Sequence, residues 1–273
     1  MNMRPQFYSP EPLDDEQLYQ RAPSVFTYSA HRSRSERFRA IPTIHAVRAL
    51  RNEGWECYGA GQGRTRTPDR ARYTKHMLKF RHRDTSRLTK VGDSVLETIL
   101  TNANDGTKGF RLDCGIFRLA CLNGMVVKSH DFGALMIRHS GDDVLDRVLA
   151  GTYEIARHAD KVMEAPARWS KIRLDDVQAR LLAHAANKLR FGDDDRIEDH
   201  QLLIPRRPAD NGRDLWTIFN IVQENVIAGG LVEAIASRRN RRFASRAVTG
   251  IDANLRLNRE LWAMAEGFAE RLA

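Results

Sequence analysis

The chain has 273 residues, of which 42% are hydrophobic and 29% charged. These values lie near globular averages and exclude both a disordered tail and a protein built mainly of membrane spans. Lys plus Arg number 44 against 35 acids, a net charge of +9, with arginine far outnumbering lysine. No run approaches the ~18 apolar residues of a membrane span. The N-terminal stretch has no apolar core of signal-peptide type, so secretion is not expected. Cys57, Cys114 and Cys121 contain no CxxC pair, which disfavours a disulfide framework and a zinc site and fits a reducing cytoplasm.

Residues 1–35 are rich in Pro, Ser and charge, with scattered aromatics at Phe7, Tyr8, Tyr19, Phe26 and Tyr28. They read as an N-terminal arm, ordered only where those rings dock. A loose basic cluster follows at Arg32, Arg34, Arg37 and Arg39. Residues 42–53 predict a short amphipathic helix, with Pro42 in its first turn, Ile44, Val47 and Leu50 at helical spacing, and Gly54 at its end. Trp55 then opens a strand, GWECYGAG. Its alternating glycines fit a bend or hairpin rim, and only weakly a nucleotide-binding loop.

From Arg64 to Lys90 there are ten Lys or Arg against Asp69 and Asp84, a net +8 that nearly equals the excess of the whole chain. Within it, residues 73–83 alternate. Lys75, Met77, Lys79, Arg81 and Arg83 fall on one side, and His76, Leu78, Phe80 and His82 on the other. A period of two predicts a strand carrying a row of cations along one exposed face, with Leu78 and Phe80 packing on the opposite face. Trp55 and Phe80 read as core, leaving Tyr58 and Tyr73 as the other nearby aromatics. Residues 94–102 and 109–119 are further strands around a hairpin signal at Asp105-Gly106, and Asn123-Gly124 reads as another tight turn.

After Ser140 the period changes to 3.6. Helices are expected over 142–164, stopped by Pro166, and over 175–190, with Val177, Leu181, Leu182, Ala185 and Leu189 apolar. Another spans 213–228 with Leu215, Phe219, Val222 and Val226, broken by Gly229-Gly230. A last one begins near Asp252. Residues 231–247 read as a short helix leading into a second basic cluster, Arg238, Arg239, Arg241, Arg242 and Arg246. The expected fold class is α+β: an N-terminal arm over 1–35, a helix with an antiparallel sheet over 36–140, and a helical region over 141–273.

Phosphate-loop, HExxH and GxSxG patterns are absent. The one dense carboxylate group, Asp193, Asp194, Asp195, Glu198 and Asp199, fits either a solvated acidic loop or a metal-holding nuclease site. His130-Asp131 and His82-Arg83-Asp84 are neighbours in sequence, which does not imply acid/base geometry. No nucleophile or base stands in a catalytic context, and no cofactor is called for.

Three blocks carry a resemblance: Phe117–Val127, Ile137–Asp142 and Asp214–Gly230. Together they resemble the signature blocks of phage- and plasmid-like proteins grouped as a domain of unknown function. Arg118, Cys121, Asn123 and Gly124 fill the first pattern. His139 and Gly141 fill the second, and Leu215, Trp216, Phe219 and Asn220 the third. The likeness runs from about residue 35 onward. It implies residence on mobile elements, often beside recombination genes, and it assigns no catalytic residue. From turn and helix propensity alone, Asn123-Gly124 reads as a turn, Cys121 as a small buried residue, and Trp216 with Asn220 as part of a helix core face. The order helix, Gly54-Trp55, strand, basic strand, hairpin is also similar to the core of single-strand annealing proteins, which form rings that hold a strand in a basic groove.

The leading expectation is therefore a nucleic-acid-binding protein, single-stranded DNA favoured, acting in annealing or recombination as a homo-oligomer. Arg64, Arg66, Arg70, Arg72, Lys75, Lys79, Arg81 and Arg83 are its expected phosphate contacts. Arg238, Arg239, Arg241 and Arg242 offer a second lip or a contact between subunits. The alternatives are a non-enzymatic interaction or anti-defence protein, whose basic and acidic segments pair between copies, and a metal-dependent nuclease using the carboxylates at 193–199.

Overall fold

Asp14 and Gln17 form a capping box that starts a helix, α1 (Asp15–Arg21), even though the segment carries few apolar residues. A 3-10 turn follows at Pro23–Phe26. Next come α2 (Thr43–Asn52) and β1 (Trp55–Gln62), joined through Gly54 at φ 85°. The computed structural model describes residues 9–35, 38, 40, 42–84, 94–118, 123–126, 135–137, 143–193, 197–208, 210–232 and 244–272. They form two compact units, Met1–Lys161 and Val162–Ala273.

In the first unit the chain continues as β2 (His76–His82), β3 (Ser94–Asn102), β4 (Phe110–Arg118), β5 (Asn123–Val126), β6 (Leu135–Ile137) and α3 (Val144–Arg157). All strand pairs are antiparallel in the order β1-β2-β3-β4-β5, and β6 also pairs with β4. The fold is α+β, as the sequence predicts. Register places His76, Leu78 and Phe80 in line with Asn102, Leu100 and Thr98 of β3, and these with Leu112 and Cys114 of β4. This face carries the apolar core: Leu78, Phe80, Leu96, Leu100 and Ile116 are all fully buried. Helix α2 is tied to it by a buried polar knot. The His76 ring nitrogens meet Ser24 Oγ and Thr43 Oγ1, each at 2.8 Å, and Asn102 Nδ2 donates to Thr43 Oγ1 at 3.0 Å.

Residues 9–35 depart from the expected arm. Ser9 and Leu13 donate their backbone N–H groups to the Tyr58 and Cys57 carbonyls, which pairs the outer edge of β1. Leu13, Leu18, Ala22 and Val25 are buried to 1% exposure or less. Four scattered apolar residues among charges show no helical stripe in sequence, yet each one fills the core.

Asn123-Gly124 is a second departure. Both residues lie inside β5, opposite Arg118 and Phe117, and do not form the turn.

The second unit holds the end of α4 (Ala159–Trp169), followed by α5 (Asp176–Phe191), α6 (Leu215–Ala228) and α7 (Ile251–Leu272). Pro166 does not stop the helix that contains it. Ser170 returns both its N–H and its hydroxyl to the Pro166 carbonyl, and Trp169 locks the last turn by packing against Trp216, Phe219 and Trp262. Helix α5 buries Ala179, Leu182, Ala183 and Ala186, while Val177, Leu181 and Leu189 of the expected core stripe are exposed. The expected helix over 231–247 is bracketed by an antiparallel bridge between Val232 and Ala244, and 233–243 lie outside the described residues.

Candidate nucleic-acid interface

Residues 76–82 form a strand, as alternation predicts, but the cationic row is not an exposed rail. β2 lies between β1 and β3, and Lys79 and Arg81 are 3% and 7% exposed. Glu97 of β3, fully buried, meets Arg81: Arg81 Nε donates to Glu97 Oε1 at 2.9 Å. The Arg81 guanidinium also lies 3.5 Å from the centre of the Phe117 ring and 4.6 Å from that of Tyr58. On the same face Arg111 makes a two-point pair with Asp113. Arg83 is exposed, and its Nε donates to Glu56 at 2.8 Å. Lys75 is half-buried. Alternation sets which face a side chain takes. It cannot report that this face is buried or that a neighbouring strand supplies a carboxylate.

Burial pushes the Lys79 ammonium down to about 8 from its ordinary 10.5, and the nearby Arg81 charge adds to this, against the opposing pull of Glu97. The folded state thus releases this proton at lower pH than the unfolded chain. Between about pH 8 and 10.5 the unfolded chain binds more protons, so stability rises with pH across that window. Below it, the cost of the buried charge is fully present. Lys79→Met is expected to remove this rise and to raise stability at neutral pH, read from urea midpoints on both sides of the window.

The remaining predicted contacts gather elsewhere. Arg64, Arg66, Arg70 and Arg72 all lie on the β1–β2 connection and all are exposed. Gly63 N–H donates to the Lys75 carbonyl at 2.7 Å and closes the neck of this connection. Gln62 Nε2, donating to the Ala71 carbonyl at 2.6 Å, braces the 3-10 turn Pro68–Tyr73. Among the described residues none of these four arginines has a carboxylate partner. The one acid in the connection, Asp69, is held from outside it by Arg32 at 3.1 Å and by His31 at 3.5 Å. That contact brings Arg32 of the loose cluster, itself exposed, beside the connection, while Arg34, also exposed, packs over Gly106 between β3 and β4. Arg37 and Arg39 lie outside the described residues, as do Arg87 and Lys90.

Beside these arginines is a cleft of roughly 240 Å³ walled by Tyr19, Phe26, Tyr28, Arg72 and Tyr73. Sequence reading marked Tyr19, Phe26 and Tyr28 as docking rings and Tyr73 as a nearby aromatic. It had no signal that the four meet. Trp55 and Phe80 are core, as expected.

Arg238, Arg239, Arg241 and Arg242 lie outside the described residues, as do Cys121, His130, Asp131, His139, Gly141, Asp194 and Asp195. Asp193 lies 3.5 Å from Lys188 Nζ. Asp199 is held by His184 at 2.9 Å and by Asn187 at 2.6 Å. Among the described residues no three His, Cys, Asp or Glu are grouped to hold a metal. His82 Nδ1 accepts from the Asp84 backbone N–H, so this pair is a local turn and not an acid/base dyad. Burial pushes the Cys57 thiol up to about 11 and the Cys114 thiol up as well, which makes both poor nucleophiles. Asn220 donates to the Trp216 carbonyl at 2.7 Å, both residues inside the core of α6. Among the described residues no helix is long and apolar enough to cross a membrane.

Fold and site define an α+β protein with an antiparallel sheet and an arginine-bearing connection at its edge. The chain belongs to the family described as "Domain of unknown function (DUF932)", whose model matches residues 30–262. It is 40% identical over 262 residues to the UPF0380 protein YafZ of Escherichia coli (strain K12), a match covering 96% of this chain and 93% of that one. The UPF0380 protein YfjQ of the same strain matches with the same identity and coverage. No solved structure matches the chain.

Proposed function

We propose that this protein binds single-stranded DNA through the arginines of the β1–β2 connection and acts, as a homo-oligomer, in strand annealing or recombination on a mobile element. The observation that carries the binding is the group Arg64, Arg66, Arg70 and Arg72. All four are exposed, and none is neutralised by a carboxylate among the described residues. Guanidinium groups held this way repel one another until a polyanion meets them, and their planar forks match phosphate oxygens. Arg32, paired with Asp69, borders the same surface. The annealing and mobile-element parts are supported by the resemblance in element order and in the three sequence blocks. The interior cations Lys79 and Arg81 have no place in this interface.

The test is the affinity of the full chain for a labelled single-stranded oligonucleotide as salt is raised. Each phosphate contact contributes a slope of about −0.7 in log affinity against log salt, so four contacts give about −2.8. Absence of binding at about 50 mM salt overturns the reading.

A further inference from the structure

We propose that the aromatic cleft beside Arg72 receives one unstacked base of the bound strand, so that the protein distinguishes single strands from duplex. This inference rests on the reading above. Tyr19 and Tyr28 line the cleft and are 49% and 62% exposed, so both rings are open to a ligand. Each is steadied by one edge-to-face neighbour: Tyr19 by Phe26 and Tyr28 by His45, both at 5.5 Å between ring centres. The two walls are joined before any ligand arrives. The Thr27 hydroxyl donates to the Arg72 carbonyl, and the Ser29 hydroxyl lies 3.5 Å from that of Tyr73. His31 packs edge-to-face on Tyr73 at 5.2 Å while facing Asp69, so the arginine connection and the cleft wall are one braced structure.

Size and charge select the occupant. At roughly 240 Å³ the cleft falls below the ~300 Å³ at which sites for whole small molecules begin, so it suits a single flat ring system. Arg72 belongs both to the cleft wall and to the basic connection. A strand whose phosphates follow Arg64, Arg66 and Arg70 therefore passes the mouth of the cleft, where a base can turn in against the tyrosines. Stacking on tyrosine tolerates any base, which fits annealing, where sequence is read by the complementary strand and not by the protein. A base held in a duplex is already paired and stacked, and entry would cost that pairing.

The experiment measures binding of the full chain by fluorescence anisotropy to three labelled probes of one length: oligothymidylate, a strand of abasic sugar-phosphate units, and a duplex. Oligothymidylate is expected to bind roughly tenfold tighter than the abasic strand, the size of one stacked base. Tyr28→Ala is expected to erase that gap and Tyr28→Phe to preserve it, with Tyr19→Ala as a second cleft variant. Tyr28 is largely exposed, and circular dichroism confirms that each variant is folded. If the abasic strand or the duplex binds as tightly as oligothymidylate, or if the gap survives both alanine variants, the cleft inference is overturned while binding through the arginines stands. If none of the probes binds, the underlying reading falls as well.

Discussion

Replacing Arg64, Arg66, Arg70 and Arg72 together with alanine is expected to weaken binding of single-stranded DNA by about a hundredfold at low salt. The expectation follows from where these side chains sit. They project from a connection whose own backbone is closed by the Gly63–Lys75 and Gln62–Ala71 bonds, and none of the four is needed to hold it. Thermal stability is therefore expected to stay within a few degrees of the parent, as for surface substitutions away from special features. Arg83→Ala is the matched control. It removes a cation from the same basic segment, but one already paired with Glu56. A threefold change or less is expected there, measured by anisotropy under the same conditions.

The second large effect concerns stability. Glu97 is fully buried beneath the Arg81 guanidinium, which Phe117 and Tyr58 flank with their rings. Glu97→Ala leaves buried cations facing a cavity and is expected to cost about 3–5 kcal/mol in denaturant unfolding. Replacing Glu97→Leu, Arg81→Met and Lys79→Met together removes all three buried charges at similar volume and is expected to recover most of that loss. A single variant as stable as the parent would show that this pair is not a buried ion pair in solution. Neither variant touches the arginine connection, so DNA affinity in the folded triple variant is expected to match the parent.

Much of the architecture was legible because it depends on local pattern. Strand β3 begins and ends where SVLETILTN does, α2 ends at Asn52 just ahead of the expected Gly54, and α6 stops at Gly229-Gly230, all three glycines with positive φ. What was missed depends on partners distant in sequence. Lys79 and Arg81 alternate as a surface row would, and only the placement of β1 and β3 on either side, with Glu97 opposite, makes them interior. Pro166 reads as a stop until Trp169 is seen to fix the turn beyond it. Leu181 and Leu189 complete an apolar stripe on paper, yet α5 turns its alanine face inward. For the site, the excess charge at 64–72 is visible in the sequence, but so is that of the strand that follows it, and local charge does not tell an exposed connection from a buried strand. The cleft needs Tyr19 and Tyr28 brought to Tyr73 by the packing of the N-terminal segment, which a charge-dense arm does not announce.

On the function proposed above, the β1–β2 connection is the polyanion-binding surface. Its most direct test is the salt dependence of single-strand binding, compared between the parent and the four-arginine variant. The parent slope is expected to be steeper by about 2.8 log units of affinity per log unit of salt. Equal slopes for the two proteins would contradict the claim and would place the binding charges elsewhere on the chain.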